Sequence, residues 1–110
     1  MKKTATPRRY EKITVRYARL MKAVEGLGKA TRRQGPLGEK TAQLVQLAAS
    51  AAIRSEGAVH SHVRRALEAG ATPDEIHHAV ILLTSTIGFP TVSAALSWVD
   101  DVLDPRGRKA

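Results

Sequence analysis

Histidine is the residue of this 110-residue chain that titrates nearest to neutral pH, and His62 is the strongest candidate for proton transfer. It flanks an apolar stripe formed by Val59, Val63 and Ala66, so its imidazole is expected beside a buried helix face. One interpretation makes His62 a general acid or base. The other makes it a partly buried histidine that is satisfied by a backbone carbonyl. The residues alone leave both interpretations open.

Ser55 is a second residue whose type could do chemistry. A serine hydroxyl becomes a nucleophile only when a neighbouring base takes its proton. Ser55 also stands just before a helical segment, where serine is a favoured N-cap. The N-cap is the simpler of the two interpretations.

The four histidines form no recognisable metal-binding pattern. His60 and His62 are two residues apart and His77 and His78 are adjacent, so each pair points to different sides of a helix. His62 and His78 could meet across two helices, but a catalytic zinc usually takes three protein ligands. The spacing therefore predicts no metal site, and we expect no cofactor.

Cysteine is absent from the chain. This absence excludes a disulfide framework, a thiolate nucleophile and a cysteine-based zinc site. The longest strongly apolar run, residues 79–83, is far too short to cross a bilayer. No hydrophobic stretch follows the first lysines, so we expect a cytoplasmic protein.

The net charge of +8 is concentrated in the first third of the chain. Residues 1–33 carry eleven lysines and arginines against Glu11 and Glu25. Such a segment could contact the phosphates of a nucleic acid, but the chain shows no base-reading motif and few aromatic residues for stacking. A solvated basic face is the favoured interpretation. A membrane-surface role is disfavoured because the apolar stripe of this segment lacks Trp and Phe.

Helical periodicity runs through most of the chain, and no segment alternates with the period of a strand. The pattern predicts an all-α antiparallel bundle of about five helices, formed by a single domain over residues 9–104. A basic flexible arm, residues 1–8, precedes it and a frayed tail, residues 105–110, follows it. The predicted helices cover residues 8–31, 37–54, 58–69, 73–87 and 90–103.

Three local signals refine these helices. Apolar residues wrap most of the second predicted helix, which should make it the buried central helix. Thr72, Pro73 and Glu75 form a capping box at the start of the fourth. The first helix carries an apolar stripe that should lie against the bundle or a neighbouring molecule: Ile13, Tyr17, Leu20, Val24 and Leu27.

Two stretches, GPLGEKTAQLVQLAASAA and HSHVRRALEAGATPDEIHHAVILLTSTIGFP, resemble the carboxymuconolactone decarboxylase family, which includes the alkylhydroperoxidase D-like proteins. The resemblance covers roughly residues 35–100. It implies an all-helical subunit that assembles into a homo-oligomer, either a trimer or a hexamer.

In the alkylhydroperoxidase D-like branch, the resemblance implies a Glu, a Cys-x-x-Cys pair and a His as a proton relay to a thiolate. His62 matches the family histidine by spacing. Ser55 and Ala58 occupy the two cysteine positions, and Gln43 falls where the Glu would lie. Serine ionises far less readily than a thiol and has no comparable oxidation chemistry. Disulfide-cycling peroxidase activity is therefore excluded.

The decarboxylase branch uses no cysteine, and its substrate is a lactone that carries carboxylates. The resemblance then implies acidic residues just before the histidine, where only Glu56 is acidic, and a cationic partner that Arg64 or Arg65 could supply from a neighbouring subunit. Two hypotheses remain. The protein is a cofactor-free lyase or isomerase in which His62 carries a proton, or it kept the fold for assembly or ligand binding. The candidate pocket is formed by Gln43, Ser55, Glu56, Ala58, His62, Arg65 and His78.

Overall fold

The computed structural model describes residues 8–106, and all regular secondary structure in that range is helical. The all-α prediction is confirmed. The predicted arm and tail lie outside the described residues except for Arg8, Pro105 and Arg106. The helices are α1 (Arg8–Arg16), α2 (Ala18–Arg32), α3 (Glu39–Ala52), α4 (Glu56–Glu68), α5 (Pro73–Ile81), α6 (Thr84–Ile87) and α7 (Phe89–Leu103).

The chain divides at Leu37 into two compact units, the first of which contains α1 and α2. A single helix over residues 8–31 was predicted, but Tyr17 interrupts it with φ −125° and ψ 55°. Across this break, the hydroxyl of Tyr10 in α1 donates a hydrogen bond of 2.5 Å to the carboxylate of Glu25 in α2. Fifteen residues of straight helix would separate the two side chains by about 22 Å. The hydrogen bond therefore requires α1 to fold back on α2.

The apolar stripe of this first unit is accessible to solvent in the described chain. Its five residues, from Ile13 to Leu27, are between 38% and 65% exposed. The lysines and arginines of α1 and α2 are exposed too, apart from the half-buried Arg32, which agrees with a solvated basic face. That the bundle or a neighbouring molecule covers this stripe stays a prediction.

The second unit begins at Gly38 and contains helices α3 to α7 around one apolar core. Helix α3 packs against α4, α5 and α7, and α7 also packs against α4, α5 and α6. Small and branched side chains fill this core, as the scarcity of aromatic residues predicts. No helix within residues 8–106 is long and apolar enough to cross a membrane. The buried apolar residues are Leu47, Ala51, Val59, Val63, Ala66, Ala71, Ile76, Val80, Val92, Ala95 and Val99.

Helix α3 was predicted to be the buried central helix, and it packs against three other helices but is buried on one face only. Leu47 and Ala51 are buried, whereas Val45 is 53% exposed on the same helix. Alanine dominates the circumference of α3, and alanine is neutral enough to lie in the core or at the surface. Apolar composition alone therefore overestimated the burial of this helix.

One well-defined backbone turn precedes α4, and another follows it. Before α4, Arg54 adopts φ +57°, and the backbone N–H groups of Arg54 and Ser55 donate to the carbonyls of Ala51 and Ser50. This is a Schellman motif, in which a left-handed residue ends the preceding helix. It makes Ser55 the N-cap residue of α4. The same motif ends α4 at Gly70, whose φ of +98° is a backbone conformation that glycine adopts without a steric penalty.

The fourth predicted helix is divided into α5 and α6. A continuous helix to Ile87 was expected, but α5 ends at Ile81 and the N–H of Leu83 donates to the carbonyl of Val80 in a tighter turn. The Thr84 hydroxyl donates to the carbonyl of Ile81 at 2.7 Å. Threonine side chains that bond to the backbone in this way compete with regular helical hydrogen bonds.

The capping box at the start of α5 is present as predicted. The N–H of Glu75 donates to the Thr72 hydroxyl, and the N–H of Thr72 donates to a Glu75 carboxylate oxygen. The Lys40 ammonium also donates to Glu75 at 3.1 Å, which links α3 to α5. Thr72→Ala should lower the free energy of unfolding by about 1 kcal/mol. Urea denaturation at pH 7 measures this, and an unchanged midpoint would contradict it.

The same motif predicts a pH dependence. The backbone N–H of Thr72, and then Lys40, lower the pKa of Glu75 below its usual value of 4.5. A lowered pKa in the folded state stabilises the fold above the unfolded pKa, and this stabilisation is lost as the pH falls through the folded value. The stability difference between the wild type and Glu75→Gln should therefore shrink as the pH falls below about 4.5.

Candidate functional site

Gln43 and His62 meet between α3 and α4. His62 is half-buried on α4, and Gln43 on α3 is only 1% exposed. The His62 Nδ1 atom lies 2.8 Å from Gln43 Oε1. The separation in sequence is 19 residues, so the contact depends on the packing of α3 against α4.

The same amide also contacts a carboxylate that the sequence reasoning missed. Gln43 Nε2 donates to Glu39 Oε2 at 3.1 Å, one helical turn earlier on α3. The spacing of four residues places the two side chains on one helix face, and this signal could have identified Glu39. Glu39 is exposed and lies in the first turn of α3, where the helix dipole favours a carboxylate.

This chain of three groups determines the tautomer of His62. An ionised carboxylate only accepts hydrogen bonds, so the amide of Gln43 must turn its NH₂ group towards Glu39. Its carbonyl oxygen then faces His62, and the imidazole must donate from Nδ1. In the neutral ring, Nε2 therefore carries the lone pair, which is the form that acts as a general base.

The other predicted pocket residues lie at different places on α4 and α5. Ser55 precedes His62 by seven residues, which is about 10 Å along the helix axis. It occupies the N-cap position, but its side chain makes no capping hydrogen bond, so the predicted capping contribution of its hydroxyl is not observed. Ala58 is half-buried one turn before His62, and His78 is exposed on α5.

Arginine side chains follow His62 on α4. Arg65 comes three residues later, on the same side of the helix, and both it and Arg64 are half-buried. Burial lowers the pKa of Arg64, and the charge of Arg65 lowers it further, against the opposing effect of Glu68. Two adjacent guanidinium groups that are partly removed from water favour a bound anion.

Gln46 adds an unsatisfied acceptor one turn after Gln43. Its Oε1 atom is buried and has no hydrogen-bond partner among residues 8–106. Buried acceptors are nearly always satisfied by protein, water or ligand donors. This atom therefore marks a polar position on α3 that a donor group could satisfy.

Glu56 belongs to a different cluster from Gln43 and His62. Its carboxylate lies 4.0 Å from His60 Nε2, and the same nitrogen lies 2.9 Å from Asp101 Oδ2 on α7. Within residues 8–106, this is the group of three side chains whose potential metal-ligating atoms come together. His60 and His62 thus face different neighbours, as their spacing predicted.

Comparison with protein families gives a match to the model described as the carboxymuconolactone decarboxylase family, over residues 18–101. The chain belongs to this family. The match runs from the first residue of α2 into α7 and includes both Gln43 and His62. A member without cysteine keeps the family fold but lacks the thiols of the alkylhydroperoxidase D-like branch. Comparison with curated proteins and with solved structures finds no significant match.

Proposed function

We propose that this family member is a cofactor-free lyase or isomerase in which His62 Nε2 takes a proton from a small anionic compound and returns it. The observation that carries the proposal is the hydrogen bond between His62 Nδ1 and Gln43 Oε1. It holds the ring orientation and puts the basic lone pair on Nε2. A histidine so oriented needs neither a thiol nor a bound cofactor to move a proton.

The charges on α4 support an anionic substrate. Arg65 lies one turn beyond His62, and a carboxylate bound by its guanidinium would place the neighbouring carbon within reach of a base on the same helix face. The buried acceptor of Gln46 supports a substrate that also donates a hydrogen bond. Small hydroxy acids have both kinds of group, whereas a carboxylated lactone has the carboxylate alone.

Solvent exchange tests the proposal on several classes of anionic compound at once. The purified protein is incubated in D₂O with a panel of small hydroxy acids, keto acids and carboxylated lactones, and NMR follows deuterium at the carbon next to the carboxylate or carbonyl. We expect saturable deuterium incorporation into at least one anionic compound, and slower incorporation into its methyl ester. Exchange at the rate of a protein-free control for every compound would contradict the proposal.

Exposed apolar side chains on the second unit favour assembly as a second function. Large apolar side chains of the second unit are 50% to 75% exposed, more than a subunit of this size needs to leave in water. We propose that a second copy of the chain covers them in a homo-oligomer, either a trimer or a hexamer. The residues are Val45, Ile53, Ile81, Leu82 and Phe89.

Light scattering coupled to size exclusion tests the assembly. The wild type should have three or six times the 11.9 kDa mass of one chain. Leu82→Glu should reduce that mass, because it places a charge on an apolar surface. Ser85→Glu adds the same charge at a neighbouring exposed polar residue and should leave the mass unchanged. A monomeric wild type would contradict the assembly, while the exchange assay would still report on catalysis.

A further inference from the structure

Glu56, His60 and Asp101 form a cluster that the proton-transfer proposal does not use, and we refer to it as the α4–α7 triad. Glu56 and His60 are one turn apart on α4, and Asp101 belongs to α7. The ring of His60 is 21% exposed and the carboxylate of Asp101 17%, whereas Glu56 is 56% exposed. Two members are thus held by the packing of α4 against α7, and the third lies at the surface.

The distances within the triad approach those of a metal site. The ligand atoms all lie within 4.8 Å of one another, and His60 Nε2 is 2.9 Å from Asp101 Oδ2 and 4.0 Å from Glu56 Oε2. Nitrogen and oxygen ligands about 2.1 Å from one zinc ion lie about 3.0 to 3.4 Å from each other. The exposed Glu56 has to move by roughly 1 to 2 Å to complete the set.

The charges of the triad favour a divalent cation. Two carboxylates next to a neutral imidazole carry a net charge of −2, which a dication balances. Without metal, the 2.9 Å contact lets His60 Nε2 donate its proton to Asp101 Oδ2. A metal ion replaces that proton and uses the same three atoms. One imidazole and two carboxylates suit zinc and its neighbours in the first transition series better than magnesium, which prefers oxygen ligands alone.

We propose that the α4–α7 triad binds one zinc-class divalent ion per chain, with water in the remaining positions, and that the ion joins the start of α4 to α7. Sequence reasoning missed this site because it compared histidines with one another. The third ligand, Asp101, follows His60 by 41 residues. The site is separate from the Gln43–His62 pair, because side chains two residues apart on α4 point to different sides of the helix.

The chain contains a matched control for the triad. His77 on α5 lies 2.8 Å from Asp100 on α7, so it repeats the imidazole–carboxylate pair of His60 and Asp101. Within residues 8–106, that pair is not part of a three-ligand group. Replacing His77 therefore removes a similar hydrogen bond and a similar surface histidine without removing a triad ligand.

Calorimetric titration of the metal-free full chain with ZnCl₂ tests the proposal. We expect one site per chain, with affinity at least about tenfold lower in His60→Gln and in Asp101→Asn. In His77→Gln the affinity should stay within a factor of about two. Zinc should raise the thermal midpoint of the wild type and of His77→Gln but not that of His60→Gln. Circular dichroism checks that His60→Gln is folded.

Three outcomes would overturn the site. The first is the absence of saturable binding to the folded wild type. The second is an equal loss of affinity in His60→Gln and His77→Gln, which would indicate adventitious binding to surface histidines. The third is unchanged affinity in both triad variants. Binding of MgCl₂ as tight as that of ZnCl₂ would contradict the proposed ligand chemistry. None of these results depends on the catalytic role of His62.

Discussion

Leu47→Ala should lower the free energy of unfolding by about 2 to 5 kcal/mol. Leu47 is completely buried and lies on α3, the helix that packs against α4, α5 and α7. Removing its branched end takes away buried apolar surface and leaves a cavity that three helices would have to close together. A loss of this size is a large part of the total stability of a small domain. Urea denaturation followed by circular dichroism measures it.

Thr41→Ala provides the control on the same helix. Thr41 is exposed, almost two turns before Leu47, and its replacement should change the free energy of unfolding by no more than about 0.5 kcal/mol. A small effect of Leu47→Ala, within the range of this control, would contradict the central position of α3. Both variants should be measured at one protein concentration, because association would stabilise the folded chain.

The positions of α3, α4, α5 and α7 could be predicted because several independent signals agree along that part of the chain. The apolar spacing of Val59, Val63 and Ala66 identifies the inward face of α4, a glycine at position 70 suits the end of that helix, and Thr72 with Glu75 begins α5. Each signal is local and depends on backbone geometry that few other residues would satisfy. The family match over residues 18–101 agrees with this part of the prediction.

The two helix breaks could not be predicted by the same reasoning. Neither Tyr17 nor Leu82 is a residue that disfavours a helix as Gly or Pro does, and apolar spacing continues through both positions. At Tyr17, the hydrogen bond between Tyr10 and Glu25 requires the chain to reverse. Such a contact between distant residues is invisible to a periodic pattern, which describes a straight helix equally well.

The candidate site shows the same division between local and distant information. The resemblance to the family predicted that Gln43 and His62 would be neighbours, and their 2.8 Å hydrogen bond agrees with that positional transfer. Glu39 was missed because the glutamate position of the family corresponds to Gln43. The spacing of four residues between Glu39 and Gln43 was nevertheless visible in the sequence. The catalytic roles of these residues stay predictions that substitutions at positions 62 and 43 can test.

His62→Asn should reduce the turnover found in the exchange assay by about 10² to 10⁴-fold, which is the contribution of a general acid or base. Asparagine keeps a polar side chain that can donate to Gln43 Oε1, so the fold should persist, but it cannot accept a proton at neutral pH. The loss should appear in kcat rather than in KM, because the substrate carboxylate is bound elsewhere. His77→Gln is the control, since it removes a histidine that contacts Asp100 rather than Gln43.

Gln43→Glu separates positioning from chemistry at the same site. A carboxylate at position 43 would stabilise the protonated imidazole, so the basic form of His62 should appear only at higher pH. The rising limb of the pH–rate profile should therefore move to higher pH, and the NMR titration midpoint of the His62 Cε1 proton should move in the same direction. Gln43→Leu removes the acceptor without adding a charge and should lower kcat without that upward shift. Wild-type turnover in His62→Asn would show that the catalysed proton does not pass through His62. The same conclusion would follow if the NMR titration of His62 moved in Gln43→Glu while the pH–rate profile of that variant did not. The family fold would then serve binding or assembly in this chain.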